Sequence, residues 1–119
     1  MEIEVTTQDN VSVLRFSGKM TIDVGEVLLR ERFDQLSDAG IRFFVFDLRE
    51  LFTLDSAGLG EIIACHKMAR ERGGGVRIVL EEPSRIGEFF HAAHLNRVFE
   101  LFSDDHSAVT GFGVEPTVG

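Results

Sequence analysis

The residues best able to do chemistry meet at one join. In "FTLDSAGLGEII", Phe52 to Ile63, a single serine, Ser56, stands beside Asp55 and just ahead of Gly58 and Gly60. An apolar run, "RFFVFDLREL", leads into the join and an amphipathic helical pattern leaves it. Three roles are open to such a serine: helix cap, nucleophile, or acceptor of a modification. Serine and aspartate are both strong N-caps, because their side-chain oxygens accept from first-turn N–H groups. Glycine is a poor choice for a purely structural first turn, at about 1 kcal/mol against alanine. Gly58 and Gly60 would instead let another backbone or a bulky group come close. A cap and a functional serine both stay open at this point.

A hydrolase elbow needs G-x-S-x-G ahead of its helix. Leu54 occupies the first glycine position, and none of His66, His91, His94 or His106 is tied to Ser56 by spacing. A covalent hydrolase is therefore not expected. A phosphate on Ser56 fits the local physics better. It would sit at a helix N-terminus, where free N–H groups and the macrodipole favour an anion. That end effect is worth about 0.3–1 kcal/mol, so the domain would stay folded. The added charge of about −1.5 to −2, next to Asp55, would oppose a docked partner. Like-charge contact in an interface costs several kcal/mol, and each 1.4 kcal/mol or so is tenfold in affinity. A small change in the fold with a large change in binding is a switch.

Other candidates are weaker. Asp47 ends an apolar run as a receiver-domain phosphoacceptor does. The acidic pair and late lysine that a receiver needs are missing, so Asp47 is expected to be a turn or capping residue. His91 and His94 could share a metal at helical spacing, but no third ligand is evident, so no metal site is expected. Gly73–Gly75 lacks the G-K-[ST] ending of a phosphate loop and precedes a strand, so a flexible connection is expected and no cofactor is implied. The 11 phenylalanines read as core, and Cys65 as buried packing.

The elements that must position Ser56 follow from periodicity. Ile3 and Val5 alternate with polar residues, Asp9–Asn10 makes a tight turn, and Val11 to Ser17 returns as a hairpin strand closed by Gly18. Val24, Val27, Leu28 and Leu36 recur at helical spacing between Ile22 and Leu36. Phe43–Phe46 is apolar on both faces, as a central strand is, and Arg49 to Leu54 reads as the loop that delivers Asp55 and Ser56 to a second helix. On that helix Leu59, Ile62, Ile63, His66 and Ala69 share a stripe. Val76 to Leu80 is another buried strand. Ser84 caps a third helix with Ile86, Phe89, Phe90 and Ala93 inward, Val98 to Phe102 is a last strand, and a short helix follows Ser103–Asp105. The order β-β-α-β-α-β-α-β-α predicts an α/β fold: a mixed, mostly parallel sheet of four to five strands with helices packed against it.

Composition bounds the function. The 119 residues suit one domain, 1–119, with a tail from about 113 expected to fray. A net charge of −8, from 20 acidic and 12 basic residues, disfavours nucleic acid and anionic membranes. No apolar stretch approaches the roughly 20 residues of a membrane span. Met1–Glu4 is not leader-like, and the lone Cys65 suits a reducing cytoplasm.

"FDLRELFTLDSAGLGEII" resembles the D-S-[SA]-G-L-G segment of STAS domains, most of all those of bacterial anti-sigma factor antagonists. The likeness spans nearly the whole chain, down to "PSRIGEFFHAAHLNRVFELF". The resemblance implies a non-catalytic regulator. Its serine at the position of Ser56 is phosphorylated by a serine kinase that doubles as an anti-sigma factor. The unphosphorylated form binds that kinase and releases the sigma factor, and a PP2C-type phosphatase restores it. The implied partner face comprises Met20, Thr21, Ile22, Asp23, Thr53, Leu54, Asp55, Ser56, Ala57, Gly58, Leu59 and Gly60. Thr21 stands where the family's G-x-[LI]-D pattern has aspartate, and Ala57 where many relatives carry a hydroxyl. An alternative is a STAS subunit of a lipid-transport ATPase, or a stress-signalling scaffold, that docks with no kinase cycle.

Overall fold

The computed structural model describes residues 1–22, 25–110 and 112. Strands β1 (Glu2–Gln8) and β2 (Val11–Met20) form the hairpin. Asp9 and Asn10 both adopt positive φ (54° and 67°), which a two-residue turn needs to match the twist of its strands. Then follow α1 (Glu26–Asp38), β3 (Phe43–Leu54), α2 (Ser56–Glu71), β4 (Gly75–Val79), α3 (Arg85–Ala92), a 3-10 turn (Leu95–Arg97), β5 (Leu101–Phe102) and α4 (Asp105–Thr110). The five strands make one sheet in the order β1-β2-β3-β4-β5, antiparallel only between β1 and β2. This is the mixed α/β sheet that the sequence predicts. The structure departs from the expected pattern at four places.

The segment Arg49 to Leu54 is strand, not loop: β3 continues to Leu54 because β2 also runs past Gly18 to Met20 and pairs with it. The pairing is irregular. Arg15 faces Asp47 but Ser17 faces Glu50, and Gly18 faces Leu51 but Lys19 faces Thr53, so β3 holds an extra residue at each step. Such insertions break the alternation that marks a strand in sequence. In α1 the buried apolar residues are Leu29 and Phe33, while Val27 is 64% exposed; Val24 lies outside the described residues. The last strand shrinks to two residues because the 3-10 turn leaves Val98 exposed and Phe99 buried. The Gly73–Gly75 connection is packed rather than free: Gly75 N donates to the Arg42 carbonyl (3.1 Å). The expected fraying from residue 113 lies outside the described residues.

Alternate residues of β2, β3 and β4 feed two cores. Leu14, Phe16, Phe44, Phe46, Val76 and Ile78 pack with Phe33 of α1, Ile62 and Cys65 of α2 and Phe90 of α3. Val11, Val13, Val45 and Val79 pack with Ala108 of α4. The larger core fixes α2 against the sheet, and so sets where Ser56 emerges.

Candidate functional site

The site is built where the ends of β2 and β3 lie side by side. Met20 is the register partner of Leu54, and Asp55 N donates to the Met20 carbonyl (3.3 Å). Asp55 has an extended backbone (φ −100°, ψ −178°) and is the N-cap of α2. Its Oδ1 accepts from Gly58 N (2.9 Å) and its Oδ2 from Ile22 N (3.0 Å). One carboxylate thus caps the helix and ties it to the segment after β2. The Gly58 N–H is the main reason the Asp55 carboxyl stays below its ordinary value of 3.8; desolvation opposes it and the Ile22 N–H assists.

Because Asp55 is the cap, Ser56 is not. Ser56 is the first residue of the helix proper, its side chain is exposed, and its hydroxyl has no hydrogen-bond partner among the described residues. It stands at the positive end of a 16-residue helix, beside first-turn N–H groups that have no partner within the helix. The geometry offers a free nucleophilic hydroxyl on a rigid support, with a field that tolerates an anion.

The glycines divide. A Cβ on Gly58 would press into the Met20 carbonyl oxygen and lie 2.9 Å from Met20 Cγ, so Gly58 admits this chain's own β2 and not a partner. Gly60 is exposed, with nothing within 4 Å of a Cβ built there. Among the expected partner-facing residues, Met20, Leu54, Gly58 and Leu59 are buried and form the floor of the site; that corrects their placement on its surface. Their apolar side chains, or lack of one, let α2 seat on the strand ends. Ile22, Thr53, Ser56 and Gly60 are exposed, and Thr21, Asp55 and Ala57 half-buried. The structure brings all of these together at one corner. Asp23 lies outside the described residues.

Sequence reading missed Phe52, taken for core like the other phenylalanines but 81% exposed. In the structure two exposed residues, Phe52 and Thr53, separate the buried Leu51 and Leu54, an order that the insertion in β3 conceals in the sequence. Asp47 also departs from expectation. It is neither turn nor terminal cap but a buried residue of β3, gripped by Arg49 through Nε (3.0 Å) and NH2 (2.8 Å). Burial alone would raise its pKa, but the Arg49 and Asp105 hydrogen bonds hold it below the usual range. Arg15 joins Asp105 to this cluster (2.6 Å), so the network pins α4 to the sheet and leaves Asp47 no free carboxylate.

His66 accepts from Val76 N through Nδ1 (3.0 Å), and burial, helped by Arg70, lowers its pKa. His91 contacts Glu82. No group of three potential metal ligands occurs among the described residues. Cys65 is fully buried, and desolvation pushes its thiol well above the ordinary value. No helix among the described residues is long and apolar enough to cross a membrane.

Comparison with known proteins agrees with this architecture. The family model described as the STAS domain matches residues 2–108. The anti-sigma F factor antagonist of Paenibacillus polymyxa is 20% identical over 110 residues, covering 92% of this chain and 93% of the relative. An anti-sigma factor antagonist from Mycobacterium paratuberculosis superposes with a TM-score of 0.80 at 23% identity, covering 92% of both chains. The Bacillus cell fate determinant SpoIIAA in its phosphorylated form gives 0.70 at 14% identity, covering 93% of this chain and 99% of that one.

Proposed function

The chain belongs to the STAS domain family, and from that premise we propose that it is an anti-sigma factor antagonist switched at Ser56. The observation that carries this reading is the division of labour at α2: Asp55 does the capping, and Ser56 keeps an exposed, unengaged hydroxyl. A serine that caps its own helix could be modified only by breaking the cap. Ser56 can be modified without touching it.

In the proposed cycle the unmodified chain binds an anti-sigma factor that is also a serine kinase, and the sigma factor is released. The kinase transfers the γ-phosphoryl of ATP: a bond forms between Ser56 Oγ and phosphorus, the bond to ADP breaks, and the hydroxyl proton leaves. The dianion sits at the helix N-terminus, where it is tolerated, but it adds to the Asp55 carboxylate and repels the partner. A PP2C-type phosphatase restores the hydroxyl by hydrolysis: water adds to phosphorus, the bond to Ser56 Oγ breaks, that oxygen takes a proton, and inorganic phosphate leaves. The chain itself acts as a binding module in the cytoplasm and not as an enzyme. The names of its relatives in Paenibacillus and Mycobacterium, both antagonists of anti-sigma factors, support this reading.

The test is incubation with the serine kinases encoded near this gene, followed by mass spectrometry with Ser56→Ala as control. One phosphate at Ser56, absent from the variant, is expected; an unmodified chain under conditions that modify a related antagonist would sink the switch. Thr21, where the family pattern has aspartate, favours a second reading. In that reading the same corner docks on a lipid-transport ATPase or a stress-signalling scaffold with no kinase cycle. Co-purification with transporter subunits would support it.

A further inference from the structure

Phe52 is the extra residue at the second irregularity of β3, between the pairs Gly18–Leu51 and Lys19–Thr53. Insertions of this kind re-aim a side chain, and here the ring is sent to solvent at 81% exposure. It does not stand alone. With Thr53, Leu54, Arg85, Ile86 and Phe89 it lines a shallow cleft of about 260 Å³ between the end of β3 and α3. Ile86 and Phe89 are only half-buried, so the cleft has an apolar wall on both sides.

Two features say what fills it. Arg85, at the rim, is exposed and has no carboxylate within ion-pair distance among the described residues, so its guanidinium can meet a carboxylate from outside. The cleft also lies next to the switch in the chain: Thr53 and Leu54 line it, and Ser56 follows two residues after Leu54. A cleft this small cannot by itself supply the roughly 800 Å² per partner of a standard interface.

We propose that the protein partner which reads Ser56 is anchored at Phe52, placing an apolar side chain against the ring and a neighbouring carboxylate on Arg85. The inference rests on the reading of Ser56 given above. It assigns the binding energy to a site that phosphate does not touch and leaves the switching to the site that it does. Interface energy concentrates in a few such aromatic and arginine anchors.

The full chain is titrated with each anti-sigma factor/serine kinase of the source genome, purified, against Phe52→Ala, Arg85→Glu and Ser56→Glu. Phe52 is exposed, so its variant should keep the wild-type circular dichroism, and Arg85→Glu provides an independent second probe. Phe52→Ala is expected to weaken binding about 30-fold, with Arg85→Glu weakening it too. Phosphorylation of Phe52→Ala should show a raised KM and an unchanged kcat. Loss in both Phe52→Ala and Ser56→Glu supports anchor and switch together. Loss in Ser56→Glu with Phe52→Ala and Arg85→Glu within twofold of wild type overturns the anchor alone. Loss in Phe52→Ala with Ser56→Glu unaffected supports the anchor and overturns the switch. A chain that binds none of the kinases overturns both.

Discussion

Two helices in this molecule start on the same design and use their serines in opposite ways. At α3, Ser84 is the cap: its Oγ accepts from Gly87 N (2.9 Å) and donates to the Glu81 carbonyl. At α2, Asp55 is the cap, with the equivalent bond to Gly58 N (2.9 Å), and the serine is moved one place on. Both follow the spacing cap-x-x-Gly, with the glycine buried. The shift of one residue decides availability. Ser84 is spent on its own helix, while Ser56 gets the helix field without the bond. A serine at a helix start is thus a candidate for modification when a neighbour has relieved it of capping.

The largest expected effect separates the two glycines. Gly58→Ala forces a methyl into the Met20 backbone, Met20 Cγ (2.9 Å) and Leu54 Cδ1 (3.0 Å), and a clash with main chain does not relax cheaply. Overpacking of this kind costs about 1–3 kcal/mol, read as a lower urea midpoint. Gly87→Ala meets its nearest atoms at 3.1–3.2 Å, and two of the three are side-chain atoms. It should cost distinctly less. Equal losses would mean that the two helix starts are not packed differently.

Next is the cap itself. Asp55→Ala removes both the Gly58 bond and the tie to Ile22 and should lose more stability than Ser84→Ala, which removes a single cap at about 1 kcal/mol. A smaller loss for Asp55→Ala would show that the tie to Ile22 contributes nothing. The same carboxylate gives a pH signature that a serine cap lacks. Its folded pKa lies below 3.8, so its stabilisation is complete above that value and is lost as pH falls through the lower folded value. Asp55→Asn keeps a capping oxygen, so the stability difference between wild type and this variant should shrink below pH 3.8. Ser84→Ala should show no such dependence. The smallest effect is the most telling: Ser56→Ala should change stability by less than about 0.5 kcal/mol, unlike Ser84→Ala. A larger loss would place Ser56 in the helix cap after all.

The element order and the sheet class were legible because buried strands such as Phe43–Phe46 and the stripe Leu59–Ile62–Ala69 carry strong periodicity. Ser56 was legible as a junction residue. Its freedom was not, because D-S-x-G reads the same whether the aspartate or the serine caps; only the extended backbone of Asp55 distinguishes them. The strand status of Arg49–Leu54 was hidden by its two insertions, and Phe52 was hidden with it. Gly58 was expected to make room for a partner, whereas the backbone that approaches it is Met20 of this chain, which sequence alone cannot say. The Asp47 cluster joins residues from β2, β3 and α4 that lie far apart in the chain, and no local pattern announces it.

One comparison bears most directly on the division between Asp55 and Ser56. The unmodified chain and the chain phosphorylated at Ser56 are titrated with the same purified anti-sigma factor/serine kinase, and the urea midpoint of each is recorded. Phosphate should weaken binding more than about tenfold, equivalent to about 1.4 kcal/mol, with the midpoint almost unmoved. Equal affinity of the two forms, or weaker binding accompanied by a collapse of the urea midpoint, would contradict it.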